Sequence, residues 1–173
     1  SYVVSKVTRE NGITMALSGL GGDELFAGYP ISKRAQSLQK QQWIWSLPLS
    51  VRKAAGSVIE KLKPGIAGIK MNQLLQLSNG EIANTFPVAR QMGPPESISK
   101  LLNCTLPHDR VSQIVNESLS GNPDIGVLSK ISIAEITTYM QNVLLRDTDQ
   151  FSMTSALEVR VPFLNDVLVE YRI

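Results

Sequence analysis

Between residues 12 and 24 the chain passes from a short apolar run into a glycine-rich stretch and then into two acids. Ile13-Thr14-Met15-Ala16-Leu17 is nearly continuously apolar with a β-branched start, and Gly12 and Ser18-Gly19 bound it. Such a run reads as a buried parallel strand. Ser18-Gly19-Leu20-Gly21-Gly22 is too glycine-rich for regular structure. Asp23-Glu24 opens a helix, because acidic side chains interact favourably with its positive end. Residues 2–10 read as a preceding helix that closes near Asn11-Gly12, residue types that tolerate the left-handed conformation. The resulting order of helix, strand, glycine loop and helix is that of open α/β folds.

A glycine loop at this place has a chemical use. Glycines let backbone N–H groups converge and approach a ligand closely. A loop that leaves a strand and enters a helix presents those groups to an anion such as phosphate. The adjoining carboxylates would repel a polyphosphate unless Mg2+ bridged the two. An alternative needs no ligand: Asp23 is a helix cap and the glycines form a tight turn. Two familiar loops are excluded. The dinucleotide fingerprint requires a glycine where Glu24 stands, and no Gly-Lys followed by Ser or Thr occurs for a Walker loop.

The rest of the chain reads as helical. Helices are expected over 31–45, 50–62, 70–78, 80–92, 96–103 and 109–120, separated by Leu47-Pro48-Leu49, a loop at Pro64-Gly65 and Gly68, the strong break Gly93-Pro94-Pro95, and a loop around Pro107-His108. After Gly121-Asn122-Pro123 a long helix over about 128–146 follows the 3.6-residue period through Ile133, Ile136, Met140, Val143 and Leu144.

A second segment, Asp147 to Asn165, concentrates charge in apolar surroundings. Arg146, Asp147 and Asp149 fall at the expected end of the long helix, where acid is unfavourable. Glu158 and Arg160 lie inside Ala156-Leu157-Glu158-Val159-Arg160-Val161-Pro162-Phe163-Leu164. Charges so flanked are expected to be buried and paired, as a structural ion pair. Cys104 and His108 stand four apart but are the sole residues of their types, too few for a zinc site. One cysteine also forbids an intrachain disulfide.

Composition narrows the class further. A net charge of +2 gives no argument for nucleic acid or an anionic membrane. No apolar run approaches the roughly 20 residues of a membrane-spanning helix. A cytoplasmic protein is expected. The chain opens on Ser1 rather than Met, with apolar Tyr2, Val3, Val4 and Val7 that read as a packed element, and it stops within the apolar-periodic stretch Val169 to Ile173. It therefore reads as a piece of a longer domain.

Two segments carry a resemblance. Ser18-Gly19-Leu20-Gly21-Gly22-Asp23-Glu24-Leu25-Phe26-Ala27-Gly28-Tyr29 resembles the second nucleotide-site motif of the asparagine synthetase family, and Ser152 to Asn165 resembles a second signature of that family, in the expected order. The resemblance implies the synthetase domain of a glutamine-hydrolysing enzyme: an α/β domain of the ATP pyrophosphatase (adenine nucleotide alpha-hydrolase-like) type, here predominantly α-helical with one or two short strands. It implies ATP-dependent amide formation, in which a carboxylate is adenylated with Mg2+ and ATP and ammonia from glutamine displaces AMP. Carried over by motif, Ser18, Gly19, Leu20, Gly21, Gly22 and Asp23 would contact the nucleotide, and Asp23 would approach Mg2+ and pyrophosphate.

The chain departs from the pattern at several points. The family's first pyrophosphate loop, a Ser-Gly-Gly-x-Asp-Ser run, does not occur in it, and neither does a glutaminase domain. Leu20 stands where many members carry an acid, Asn165 where Asp is common, and Gln150 where many carry a base. Leucine neither accepts a proton nor binds a metal. The acceptor is accordingly aspartate or another carboxylate, a nucleotide-binding homologue without catalysis is the remaining alternative, and the 173 residues alone are expected to be inactive.

Overall fold

The computed structural model describes residues 1–107, 110–121 and 124–173. Along the chain run α1 (Tyr2–Glu10), β1 (Met15–Leu17), α2 (Gly22–Leu25), α3 (Pro30–Lys40), α4 (Leu49–Leu62), α5 (Ile66–Gln76), α6 (Ile82–Arg90), α7 (Pro95–Leu102), α8 (Val111–Leu119), α9 (Val127–Glu135), α10 (Leu145–Met153), β2 (Glu158–Arg160) and α11 (Asp166–Arg172). Two compact units emerge, one built from residues 1–30 and 117–173 and the other from residues 31–116.

In the first unit β1 and β2 pair in parallel, with Met15 opposite Glu158 and Leu17 opposite Arg160. Hydrogen bonds from Glu158 N–H to the Thr14 carbonyl (3.0 Å) and from Ser18 N–H to the Arg160 carbonyl (2.8 Å) close the two ends of the ladder. Helix α2 packs on α9 and α1 on α10. Leu25, Ile131, Ala134, Met140 and Leu157 are buried and form the apolar interior.

Three expectations change here. The strand is shorter than 13–17 and is not buried: Met15 and Leu17 lie on an open face and Ala16 is half-buried. Helix α1 forms as expected and turns at Gly12 (φ +83°), yet Tyr2, Val3, Val4 and Val7 are exposed and Ser5 is its buried residue. The long helix does not stop at 146. It runs from Val127 to Met153, and its middle, Ile136–Leu144, widens to π-helical bonding. There the Thr137 hydroxyl donates to the Ile133 carbonyl (2.8 Å) and the Asn142 amide to the Thr138 carbonyl (2.8 Å). Side chains that bond backbone carbonyls one turn back compete with the regular ladder and distort it. Asp147 and Asp149 thus sit within α10, both exposed, and no helix end opposes their charge.

In the second unit α4 and α5 form a close hairpin. Gly68, expected in a loop, lies inside α5, at a place where a Cβ would collide with the Lys63 carbonyl and approach Glu60 Cα. Gly56 on α4 stands equally close to Asn72 on α5. Buried Arg52 donates from Nη1 to the carbonyls of Leu75 (2.9 Å) and Leu77 (2.7 Å), which end α5. A cation there offsets the orphan carbonyls of a helix C-terminus. The helix expected over 31–45 ends at Lys40 and resumes as a 3-10 turn at Gln42–Ser46.

Candidate functional site

The glycine loop leaves β1 at its C-terminal end, the place where open α/β sheets bind ligands. Leu20 N–H donates to the Ser18 hydroxyl (3.3 Å), and Gly22 N–H donates to the Gly19 carbonyl (3.2 Å). Gly21 takes the left-handed conformation (φ +93°) and stands at the N-cap of α2. Helix α2 has only four residues, so its dipole is small, and any hold on an anion would come from the loop's N–H groups themselves.

The glycines of this loop differ in what fixes them. A Cβ at Gly21 would lie 2.9 Å from Leu164 Cδ2 and 3.1 Å from Phe163 Cβ. At Gly28 it would overlap the Asp23 carboxylate. Packing and backbone conformation therefore account for both. At Gly19 a Cβ would meet nothing within 4 Å, and φ is not positive. Protein packing gives no reason for a glycine there.

Asp23 is not a helix cap. The N-cap position belongs to Gly21, and no side chain forms a cap hydrogen bond. The Asp23 carboxylate is exposed and rests against Gly28, whose N–H donates to the Asp23 carbonyl (2.9 Å). Its neighbour Glu24 turns the other way: it is 3% exposed and accepts a hydrogen bond from the Tyr29 hydroxyl (2.9 Å). The acidic pair is thus divided into one buried, hydrogen-bonded carboxylate and one on an exposed residue, set against Gly28.

The second segment supports the first. Ser152 is buried, its hydroxyl donates to the Asp149 carbonyl (3.2 Å), and its carbonyl accepts from Leu157 N–H (3.1 Å). Ala156 takes φ +51° and turns the chain into β2. After β2 a 3-10 turn, Pro162–Leu164, places Phe163 and Leu164 against Gly21 and Gly22. The rings of Phe163 and Phe26 meet edge to face at 6.1 Å and 81°. Asn165 caps α11 by accepting from Val167 N–H (3.1 Å). An Asp would serve that role equally well, so its replacement by Asn here keeps the cap.

Glu158 and Arg160 pair as expected, Nε to Oε1 at 2.8 Å, but their side chains are 58% and 63% exposed. The expected burial is wrong. Alternation in a strand puts Glu158 and Arg160 on one face and Val159 on the other, so apolar sequence neighbours say nothing about the charged face. Cys104 is exposed, and His108, four residues further on, lies outside the described residues.

Mg2+ takes one or two carboxylates and otherwise phosphate oxygens and water. Among the described residues no group of three His, Cys, Asp or Glu could hold a metal. One exposed carboxylate, Asp23, fits the share a protein contributes to a phosphate-bound Mg2+, and does not fit a closed protein cage.

A parallel strand running into a glycine turn and then a short helix, with an exposed acidic residue beside the turn, is a strand–loop–helix element of the α/β type. The family model of asparagine synthase matches residues 1–173, so the chain belongs to the asparagine synthase family, whose domain is of the ATP pyrophosphatase-like class. It is 30% identical to the Bacillus subtilis (strain 168) protein named asparagine synthetase (glutamine-hydrolyzing) 1, over 98% of this chain and 26% of that protein. It is 27% identical to a Mycobacterium bovis protein provisionally named an asparagine synthetase (glutamine-hydrolyzing), over 95% of this chain and 24% of that protein. The chain spans about a quarter of the length of these curated relatives. No solved structure matches it significantly. Among the described residues, no helix is long and apolar enough to cross a membrane.

Proposed function

We propose that this chain forms the second nucleotide-site motif and its support within the synthetase domain of an ATP-dependent asparagine-forming enzyme. Its first pyrophosphate loop and its glutaminase domain would lie in sequence beyond these 173 residues. The observation that carries this reading is the contrast within the loop. Gly21 and Gly28 are explained by contacts with Leu164 and Asp23, whereas Gly19 has open space and Asp23 is an exposed acid beside it.

In this reading Ser18 and Gly19 lie against the nucleotide, where a side chain on Gly19 would stand in its way. Leu20, Gly21 and Gly22 shape the turn. Asp23 holds its carboxylate toward the phosphates and takes its share of Mg2+, which when bound neutralises phosphate charge. The acceptor carboxylate attacks the α-phosphorus and pyrophosphate leaves. Ammonia derived from glutamine then attacks the acyl carbon and AMP leaves. Positioning and charge neutralisation are what a weak carboxylate nucleophile needs.

Leu20 favours a second acceptor class, since leucine can neither accept a proton nor bind a metal where many members carry an acid. In the whole protein, aspartate labelled with 18O in its side-chain carboxylate is expected to transfer one label to AMP. If AMP forms unlabelled from aspartate but labelled from another carboxylate, the second class is correct. If no carboxylate transfers label, adenylation is refuted.

A further inference from the structure

Helices α3, α5 and α6 together carry five cationic residues, Lys33, Arg34, Lys40, Lys70 and Arg90, and no acid. The whole chain has a net charge of only +2, so positive charge is concentrated on these three helices. All three contribute to one cavity of about 500 Å³. Arg34 and Leu38 are one turn apart on α3, as are Lys70 and Leu74 on α5, so each helix shows the cavity one stripe with a cation at one end and an apolar side chain at the other. Met71 adds to the apolar wall, and among the described residues no carboxylate lines it.

We propose that this cavity binds a small amphipathic anion, an apolar body bearing a carboxylate or phosphate head, with Arg34 and Lys70 at the head and Leu38, Met71 and Leu74 around the body. The volume lies within the roughly 300–1,000 Å³ of small-molecule sites. Lys70 Nζ donates to the Ala89 carbonyl (2.8 Å), which ties its stem to α6 and fixes where the ammonium stands. Burial, then Arg34 and Arg90, press the Lys70 pKa down. An anionic head relieves that repulsion. Arg34 and Lys33 are exposed, so a head group at the mouth stays in reach of water while the body enters. A bare phosphate would leave the apolar wall unused, and a neutral chain would bring no charge to Arg34 and Lys70.

Methyl-labelled methionine reports the site directly, because Met71 lines the cavity whereas Met140 and Met153 belong to the other unit. Octanoate is titrated into the 173-residue chain beside octanamide and inorganic phosphate. Octanoate is expected to move the Met71 methyl resonance saturably and to leave Met140 and Met153 in place. Octanamide and phosphate are each expected to bind about tenfold or more weakly, as the loss of a charge-assisted contact or of the apolar body requires. Arg34→Gln, at an exposed site, should weaken octanoate to a similar degree, and Ala67→Phe should block it by filling the cavity wall. The proposal is overturned if octanoate shows no saturable shift at Met71. It is also overturned if octanamide or phosphate binds as well as octanoate, or if both variants bind it as the parent chain does.

Discussion

Gly21 and Leu164 stand so close that a single added methyl group on Gly21 would reach within 2.9 Å of Leu164 Cδ2. This contact joins the two segments by which the family is recognised. It means that the second segment is the floor on which the glycine turn rests, and that changes in the turn should divide into those that break the floor and those that meet a ligand.

Gly21→Ala breaks the floor. It places a Cβ at φ +93° and against Leu164. The left-handed conformation costs an alanine about 1–2 kcal/mol, and crowding adds to it. The urea midpoint of the 173-residue chain should fall clearly. Gly19→Ala adds a methyl group in open space, and should stay within about 0.5 kcal/mol of the parent. In the whole protein the same Gly19→Ala change should nonetheless reduce ATP-dependent activity. Loss of stability without loss of activity would reverse its assignment.

Glu158→Ala and Arg160→Ala should each alter stability by less than about 1 kcal/mol, since the pair they break is exposed on both sides. Chemical denaturation of the two single variants and the double variant checks this. A cost of several kcal/mol in either single variant would mean that the pair is buried in the folded protein.

Lys70 gives a pH signature. Its pKa in the folded chain is lowered from 10.5, first by burial and then by Arg34 and Arg90. The unfolded chain therefore holds this proton to higher pH than the folded chain does. Stability from this group rises as pH climbs through the folded pKa toward 10.5. Relative to Lys70→Gln, the parent should gain stability over that alkaline interval and show a constant difference below it. A difference that does not change with pH would mean that Lys70 titrates alike in both states.

The 173-residue chain alone should release pyrophosphate from ATP and aspartate at background rate, because no Ser-Gly-Gly-x-Asp-Ser loop occurs in it. A coupled pyrophosphate assay decides this, and turnover well above background would show that the other loop is dispensable.

Much of the site's layout was legible in the residues. The apolar run before Ser18 and the three glycines after it mark a strand-to-helix turn by backbone physics alone, and a left-handed Gly21 is what such a turn demands. Burial was less legible. Met15 and Leu17 read as core but lie on the open face of a two-stranded sheet, beside Glu158 and Arg160. Hydrophobicity records what a side chain favours, not which neighbours reach it. Nor could the separation of Asp23 from Glu24 be read. Adjacent residues on one helical turn point about 100° apart, and it is the Tyr29 hydroxyl that takes Glu24 inward. The π-helical stretch was hidden as well, because Ile133, Ile136, Met140 and Val143 keep a helical spacing whether or not the hydrogen bonds lengthen by one residue.

The most direct test of the account is Asp23→Asn in the whole protein, read by ATP–pyrophosphate exchange that depends on the acceptor carboxylate and by a thermal melt on the same sample. The exposed Asp23 carboxylate makes no cap bond, so the fold should not need its charge, and the melt should be unchanged. Exchange should fall by about 100-fold or more, the usual consequence of removing one electrostatic partner of a phosphoryl group. Normal exchange with a normal melt would contradict the account and leave the glycine loop a structural turn.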